Sequence, residues 1–311
     1  MTEGARAGGG RAAGEARTEP RAGSVALLGW TNVGKSSLLN RLVGSKLAAV
    51  AAAAQTTRHR ITGVVHLGGA GQIALVDAPG LHRPQSRMNR RMVRQLRHAV
   101  AEADLALLVV DAARGIGAGD QRAARLLRTI RTPFLVALNK IDLVRPKSAL
   151  LPLMRIAVEE WGAREALPVS AASGEGCAEL ARSLLRYLAP SAPPFPEDYL
   201  TDQPLRSLAA EWIREQLVAV TSAELPHATA VLIEQWRESS ARVEIDATIL
   251  VERASQRPIV IGRGGRNLKQ IGQAARLEIG RLIERPVVLR LWVKVRQDWR
   301  NDERVLREIG L

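Results

Sequence analysis

Residues 24–37 read SVALLGWTNVGKSS: a short apolar run ending in glycine, a polar loop, then the start of a helical pattern. Gly29, Gly34, Lys35 and Ser36 match the spacing G-x-x-x-x-G-K-[ST], set between a strand and a helix as that motif requires. Glycine lets the backbone wrap a β-phosphate, while successive N–H groups and the helix N-terminus aim at anionic oxygen. In that geometry the Lys35 ammonium bridges the β- and γ-phosphates, and the Ser36 hydroxyl supplies an oxygen to Mg2+. The whole turn is a candidate phosphate cradle: Gly29, Trp30, Thr31, Asn32, Val33, Gly34, Lys35, Ser36 and Ser37. A nucleoside triphosphate is implied, and the base is left open.

Three further motifs follow in order, each after an apolar run. Asp77-Ala78-Pro79-Gly80 offers a carboxylate that can hold Mg2+ through water and a glycine N–H that can touch the γ-phosphate. Asn139-Lys140-Ile141-Asp142 offers a carboxylate at Asp142 that can accept from N1–H and N2–H2 of guanine. Adenine lacks both donors and would leave that charge unpaired, so the discrimination is costly to evade. Ser170-Ala171 closes the last run, where the Ala171 N–H can meet guanine O6. Four such motifs in order, each at the carboxyl end of a strand where α/β sheets bind ligands, point to a GTPase. Between the first two lies Gln55-Thr56-Thr57-Arg58. A threonine hydroxyl there completes Mg2+ coordination only when the γ-phosphate is present, which makes a switch. Thr57 is the preferred ligand, with Thr56 next, so the metal set is Ser36, Thr57 and Asp77.

From residue 24 to about 188, apolar runs at 24–29, 61–67, 72–77, 104–111, 133–139 and 166–170 alternate with helical patterns. The helices are expected near 35–43, 88–101, 119–130, 148–161 and 176–188. Near-continuous apolar strands suit a mostly parallel sheet covered on both faces, an α/β class. PSAPPFP, residues 190–196, continues neither element and reads as a semi-rigid linker. The expected division is a disordered tail over 1–22, a nucleotide domain over 23–189, a Pro-rich linker over 190–203 and a smaller α+β domain over 204–311. Among 311 residues, 45 Lys and Arg face 31 Asp and Glu, a net +14. The surplus is local: residues 81–100 hold six arginines and no acid, and 251–311 hold fourteen basic against seven acidic residues. Such clustering suggests nucleic acid or another anionic surface. The single cysteine, Cys177, excludes a disulfide framework and fits a reducing compartment. No apolar run reaches the ~18 residues that span a bilayer, and a cytoplasmic chain is expected.

The last third has a different grammar: a helix near 204–220, two strands, a helix pair and a final strand. ARVEIDATILVER alternates, and so does VVLRLWVKVR, with Val287, Leu289, Leu291, Val293 and Val295 on one face and Arg290, Trp292, Lys294 and Arg296 on the other. Gly262-Arg263-Gly264-Gly265 forms G-x-x-G with a basic interior residue, ahead of an amphipathic helix carrying Arg266, Lys269 and Arg276. Two glycines let a sugar-phosphate chain approach the backbone, as in a KH module clamping about four single-stranded nucleotides. The interleaved Trp292 suits stacking and the cations suit phosphate. The candidate RNA set is therefore Gly262, Arg263, Gly264, Gly265, Arg266, Lys269, Arg290, Trp292, Lys294 and Arg296.

Over residues 22–311 the sequence resembles the bacterial Era GTPase family. TNVGKSSLLN (31–40), QTTRHRITGV (55–64), DAPGLH (77–82), NKIDL (139–143), TDQP (201–204), VERASQRPIVIGRGG (251–265) and LWVKVRQDWRND (291–302) carry the resemblance. It implies a P-loop GTPase domain followed by a type II KH domain. It also implies binding of small-subunit (16S) rRNA near its 3′ end, a role in rRNA processing and 30S subunit biogenesis, and a peripheral contact with the inner face of the cell membrane. The chain departs from the family at Thr31, where Pro is usual, in the all-alanine stretch 51–54 and in its N-terminal tail.

The reading at this stage is a monomeric GTP/GDP switch with slow hydrolysis, in which water attacks the γ-phosphate in line and catalysis is mostly positioning. Lys35, Asn32, Thr57 and Gly80 form the catalytic set. Leu81 stands where Ras-like enzymes orient water with Gln. The resemblance implies a K+ ion beside Asn32 as the supplement. Two alternatives stay open here: a GTP-gated RNA-binding module with negligible hydrolysis, and a membrane-surface GTPase using the arginines of 83–97.

Overall fold

The computed structural model describes residues 19–49, 61–77, 87–221, 225 and 229–309. The first part is built on six strands in the order β2-β3-β1-β4-β5-β6. They are β1 (Arg21–Leu28), β2 (Ile61–His66), β3 (Gly71–Asp77), β4 (Leu105–Asp111), β5 (Phe134–Asn139) and β6 (Ala166–Pro168). Only β2 runs antiparallel to its neighbour, β3. Five helices cover the sheet: α1 (Lys35–Val43), α2 (Arg87–Glu102), α3 (Ala118–Ile130), α4 (Leu150–Arg155) and α5 (Cys177–Tyr187). Alternate residues of β1 feed two separate cores. Val25 and Leu27 pack under α1 and α5, whereas Ala26 and Leu28 pack under α2 and α3. Both faces are thus dry, which is why these strands read as unbroken apolar runs. The motifs end up at the carboxyl edge of the sheet because β1, β4, β5 and β6 all deliver their loops there.

β1 begins two residues earlier than the expected domain boundary at 23, since Arg21 and Ala22 pair with Gly71 and Gln72. Residues 190–203 form a strap bound along the β2–β3 side of the sheet. Gln72 exchanges two hydrogen bonds with the Phe195 backbone, at 2.6 and 3.1 Å. His66 Nε2 lies 2.9 Å from the Tyr199 carbonyl, the Thr201 hydroxyl donates to Thr62 O at 2.7 Å, and Phe195 stacks on Tyr199. The prolines remove donors from the strap, and its pairing comes from side chains on both partners together with isolated backbone bonds such as Val64 N–H to Leu200 O at 2.9 Å.

The second part contains α6 (Leu205–Val220), β7 (Thr229–Glu238), β8 (Val243–Val251), α7 (Gln256–Ile261), α8 (Arg266–Ile283), β9 (Val287–Val295) and α9 (Glu303–Glu308). β8 is central, antiparallel to β7 and parallel to β9. Val243, Ile245, Ala247, Ile249 and Val251 form one face of β8 and pack against α6 and α8. The sequence pattern missed α9, a six-residue helix capped by Asp302, whose carboxylate accepts from the N–H groups of Arg304 and Val305.

The two parts meet at a mixed joint. Met88 and Met92 of α2 pack with Ala230, Leu250, Trp299, Val305 and Leu306 in one buried cluster. Arg91 pairs with Glu303, and the Arg87 N–H donates to Asn301 Oδ1 at 3.0 Å. On another side Lys46 reaches Glu215 of α6 at 3.0 Å and Glu278 of α8 at 3.7 Å. Among the described residues no helix is long and apolar enough to cross a membrane.

Candidate nucleotide and RNA sites

The phosphate loop turns sharply because Asn32 and Gly34 both take positive φ, 63° and 95°. A Cβ at Gly34 would lie 2.3 Å from Asn139 Nδ2, so glycine is required there for space as well as conformation. Lys35 is buried, and its Nζ donates to Gly29 O at 3.2 Å and Trp30 O at 2.9 Å. The loop's own carbonyls therefore hold the ammonium at the cradle. Burial pushes the Lys35 ammonium below the ordinary lysine range, and the Asp77 carboxylate offsets part of that shift. The Ser36 hydroxyl donates to Asp77 Oδ2 at 2.9 Å, which brings two of the three expected metal ligands together. This hydroxyl and carboxylate pair is a hard-oxygen set that suits Mg2+, which takes one or two carboxylates plus phosphate and water oxygens. Among the described residues there is no cluster of three or more His, Cys, Asp or Glu, so no all-protein cage competes. Thr56 and Thr57, like Ala78, Pro79 and Gly80, lie outside the described residues.

Trp30 fills the position before Thr31. Its ring lies against Gly119 of α3, where a Cβ would come within 2.6 Å of it, and the Arg122 guanidinium sits 5.4 Å above the ring. The departure from the family at this turn is thus anchored on α3.

The base-side motifs are joined to the phosphate loop through one residue. Asn139 Nδ2 donates to Val33 O at 2.8 Å, and Asn139 Oδ1 accepts from Ala171 N–H at 3.0 Å. The Ala171 N–H, expected to meet guanine O6, here donates to Asn139. Lys140 also acts as a brace, with Nζ donating to Asn32 O at 2.8 Å and to Asp111 Oδ2 at 2.7 Å. The Ser170 hydroxyl donates to Asp142 Oδ1 at 2.6 Å and fixes the carboxylate that would read guanine. Ser170 Oγ in turn accepts from Ser173 N–H at 3.1 Å.

Sequence reasoning missed three supports. Asp111 holds Lys140, and its place at the carboxyl end of β4 was an available signal. Arg41 donates to Ala171 O at 3.0 Å and to Ala172 O at 2.6 Å, linking α1 to the last motif. Asn40 Oδ1 accepts from the N–H groups of Leu47 and Ala48, both at 2.9 Å. Arg41 stands in no motif; Asn40 closes the TNVGKSSLLN stretch, but its role is set by a turn seven residues further on. Cys177 is buried below Ser170, and burial pushes its thiol above the usual range, in keeping with a packing role.

In the second part, Gly262, Arg263, Gly264 and Gly265 form an exposed turn between α7 and α8. Gly264 takes φ 61°, and a Cβ there would meet nothing within 4 Å, so the turn faces open space. Beside it runs a groove of about 400 Å³, floored by Leu268, Gly272, Leu289 and Leu291 and edged by Lys269, Gln273 and Arg276. An apolar floor with a cationic rim suits bases below and phosphates above. Arg263, Arg266 and Lys269 are exposed at this edge.

The other four expected RNA residues are not part of that groove. Side chains alternate across a strand, and Leu289, Leu291 and Val293 of β9 face the helices. Arg290, Trp292 and Lys294 therefore point to the opposite face of the sheet, and Arg296 lies just beyond the strand. Their charges are also matched. Arg290 pairs with Asp246 at 3.1 Å, Lys294 with Glu234 at 3.5 Å and Arg296 with Asp302 at 2.6 Å. Arg290 is held above the ordinary arginine range mainly by its hydrogen bond to Asp246.

A phosphate loop tied through Asn139 to the Asn139–Asp142 motif, followed by a G-x-x-G module, defines a P-loop GTPase fused to a KH domain. A family model described as a 50S ribosome-binding GTPase matches residues 24–140, and a KH domain model matches residues 224–300. The chain belongs to the Era family of GTPases. It is 43% identical to GTPase Era of Geobacter metallireducens over 293 residues, 93% of this chain and 97% of that one. It superposes with a TM-score of 0.90 on a variant of Aquifex aeolicus Era bound to GDP·AlF4−, at 37% identity, covering 93% of this chain and 99% of the other. A structure of Era with MgGDPNP and nucleotides 1506–1542 of 16S ribosomal RNA gives the same TM-score, 0.90, and identity, 37%, over 94% of this chain and 99% of the other.

Proposed function

We propose that this chain is a GTP-hydrolysing switch that binds small-subunit (16S) rRNA near its 3′ end through the KH groove and acts in 30S subunit biogenesis in the cytoplasm. One observation carries the proposal: a single chain joins the Asp142–Ser170–Asn139 base pocket to an open G-x-x-G groove, as in the relative solved with MgGDPNP and rRNA. Lys35 holds the β- and γ-phosphates, and the loop N–H groups and the start of α1 stabilise charge on the γ-phosphate oxygens. Ser36, Asp77 and Thr57 would hold Mg2+, which when bound neutralises phosphate charge. Asn139 keeps the phosphate and base ends in register. Leu81 carries no group to orient water, so turnover is slow without a partner. Residues 23–189 form the switch, 190–203 the strap and 204–311 the RNA module.

The catalytic supplement is K+ beside Asn32, whose carbonyl is already braced by Lys140. A cation there acts on the transition-state charge as an arginine finger does. Single-turnover phosphate release tests both points. Hydrolysis should be measurable, faster in K+ than in Na+ at matched ionic strength, and the K+ effect should vanish in Asn32→Ala. Negligible release in both salts would favour the GTP-gated binding module. Crosslinking the chain to total RNA and mapping the attached positions tests the rRNA assignment.

A further inference from the structure

The helices α2 and α3 lie side by side over the same core, with Leu96, Ala99 and Val100 of one and Ala123, Ala124 and Leu127 of the other buried beneath them. Their outward faces carry Arg90, Arg94 and Arg97 on α2 and Arg122, Arg125 and Arg128 on α3, and all six are exposed. None of the six is ion-paired to a carboxylate among the described residues, whereas Arg87 and Arg91 on the flank of α2 are taken by Glu303. These helices hold only two acids. Asp120 is fully buried and bound to Arg114, and Glu102 stands at the far end of α2. The result is a cationic face on the GTPase domain, separate from the G-x-x-G turn.

The spacing on this face fits a sugar-phosphate backbone. Arg90 to Arg97 spans about 10 Å of helix and Arg122 to Arg128 about 9 Å, and packed helices lie about 8–10 Å apart. Guanidinium groups at that spacing can take several phosphates, each in a forked contact. Between the arginines the exposed side chains are polar, Gln121, Thr129 and His98. Neither α2 nor α3 carries a Phe, Tyr or Trp of its own, and the nearby Trp30 ring is already covered by Arg122, so single-stranded bases would gain little by stacking here. Nor can this face enter a bilayer, since the apolar side of α2 is already buried against its own sheet and against Trp299.

We propose that the α2–α3 face is a second RNA-binding surface, which takes the phosphate backbone of a double-helical RNA segment without reading its sequence. The proposal rests on the reading of the chain as an RNA-bound GTPase. Its test uses the full chain and two labelled probes followed by fluorescence anisotropy: a blunt 20-base-pair RNA duplex and a short single-stranded RNA. The variant R90Q/R94Q/R125Q/R128Q should weaken duplex binding at least tenfold at 0.1 M salt and lower the log–log salt slope by about 3.6, since each of the four lost phosphate contacts removes about 0.9. Single-strand affinity, GTP hydrolysis and thermal midpoint should stay at wild-type values. The matching Arg→Lys variant should keep most of the duplex affinity, and Gly264→Asp should lose the single strand and keep the duplex. Duplex binding unaffected by the four Arg→Gln changes, or lost in Gly264→Asp, overturns the proposal. So does wild-type chain that binds the single strand but not the duplex, an outcome that leaves the KH reading standing. Wild-type chain that binds neither probe removes both. Sedimentation with vesicles of 3:1 phosphatidylcholine and phosphatidylglycerol supplies the last arm: arginine-dependent vesicle binding without duplex binding would assign the face to lipid.

Discussion

Asn139→Ala isolates the joint between the two halves of the nucleotide site. The native amide makes two buried hydrogen bonds, to Val33 O at 2.8 Å and from Ala171 N–H at 3.0 Å. Alanine removes both and leaves a carbonyl of the phosphate loop and an N–H of the base loop without partners. A buried backbone group in that state costs about 1–3 kcal/mol, or roughly 2–6 kcal/mol for the pair if neither reaches water. If the loops stay in place, this cost appears as a lower unfolding free energy. Should they move apart to reach water, a nucleotide must pull them back, and the cost appears in its Kd. The second outcome is expected, because both groups belong to loops at the carboxyl edge of the sheet that are joined to each other through Asn139 alone at this point. At tenfold per 1.4 kcal/mol, GDP and GTP should each bind roughly 30-fold or more weakly. The loss should be equal for the two nucleotides, since neither bond touches the γ-phosphate region. Stopped-flow binding of fluorescent GDP and GTP analogues, with thermal unfolding of the nucleotide-free chain, measures both quantities. GDP affinity within threefold of wild type together with an unchanged thermal midpoint would refute the reasoning.

Three other substitutions test separate parts of the account. Asp142→Asn should weaken GTP and improve xanthosine triphosphate, whose base presents an acceptor at position 2; unchanged GTP affinity would remove Asp142 from the base pocket. Trp292→Ala should leave single-strand RNA affinity within about twofold, because the ring lies on the far side of the sheet from the groove, and a loss of ~1–3 kcal/mol, typical of a stacked base, would return that face to the RNA site. Asp302 is held below its ordinary value of 3.8, first by its hydrogen bond to Arg296 and then by the α9 N–H groups. Because its folded pKa is depressed, the stabilisation is complete above that ordinary value and is lost as pH falls through the lower folded value. Acidification below about pH 4 should therefore loosen α9 and shift the emission of the buried Trp299, and Asp302→Ala, which removes both the cap and the Arg296 partner, should show that loosened state already at neutral pH. A pH-independent spectrum in the wild-type chain would rule out the cap as the sensitive element.

The sequence alone determined the strand–loop–helix cradle at 24–43, the order of the guanine motifs and the presence of a G-x-x-G module. Each depends on residues close together in the chain: a glycine that must turn, a lysine one residue later, an acid three residues past Asn139. The two-sided burial of the first sheet was legible for the same reason, since a parallel strand must be apolar on both faces. Tertiary structure decided everything that depends on what lies across a gap. The alternation in β9 sorts its side chains into two sets, yet only the packing of α6 and α8 shows which set lines the groove. Arg290 finds Asp246 through a parallel register 44 residues away, and that pairing removes a cation which composition alone counts as available. The Ala171 N–H is spent on Asn139 because two loops converge, a contact with no trace in either motif. Met88 and Met92 look like ordinary core residues of an amphipathic helix, but their partners lie in the other domain. Local spacing encodes backbone conformation and side-chain chemistry, whereas the partner of each side chain is set by long-range packing, which one-dimensional periodicity does not carry.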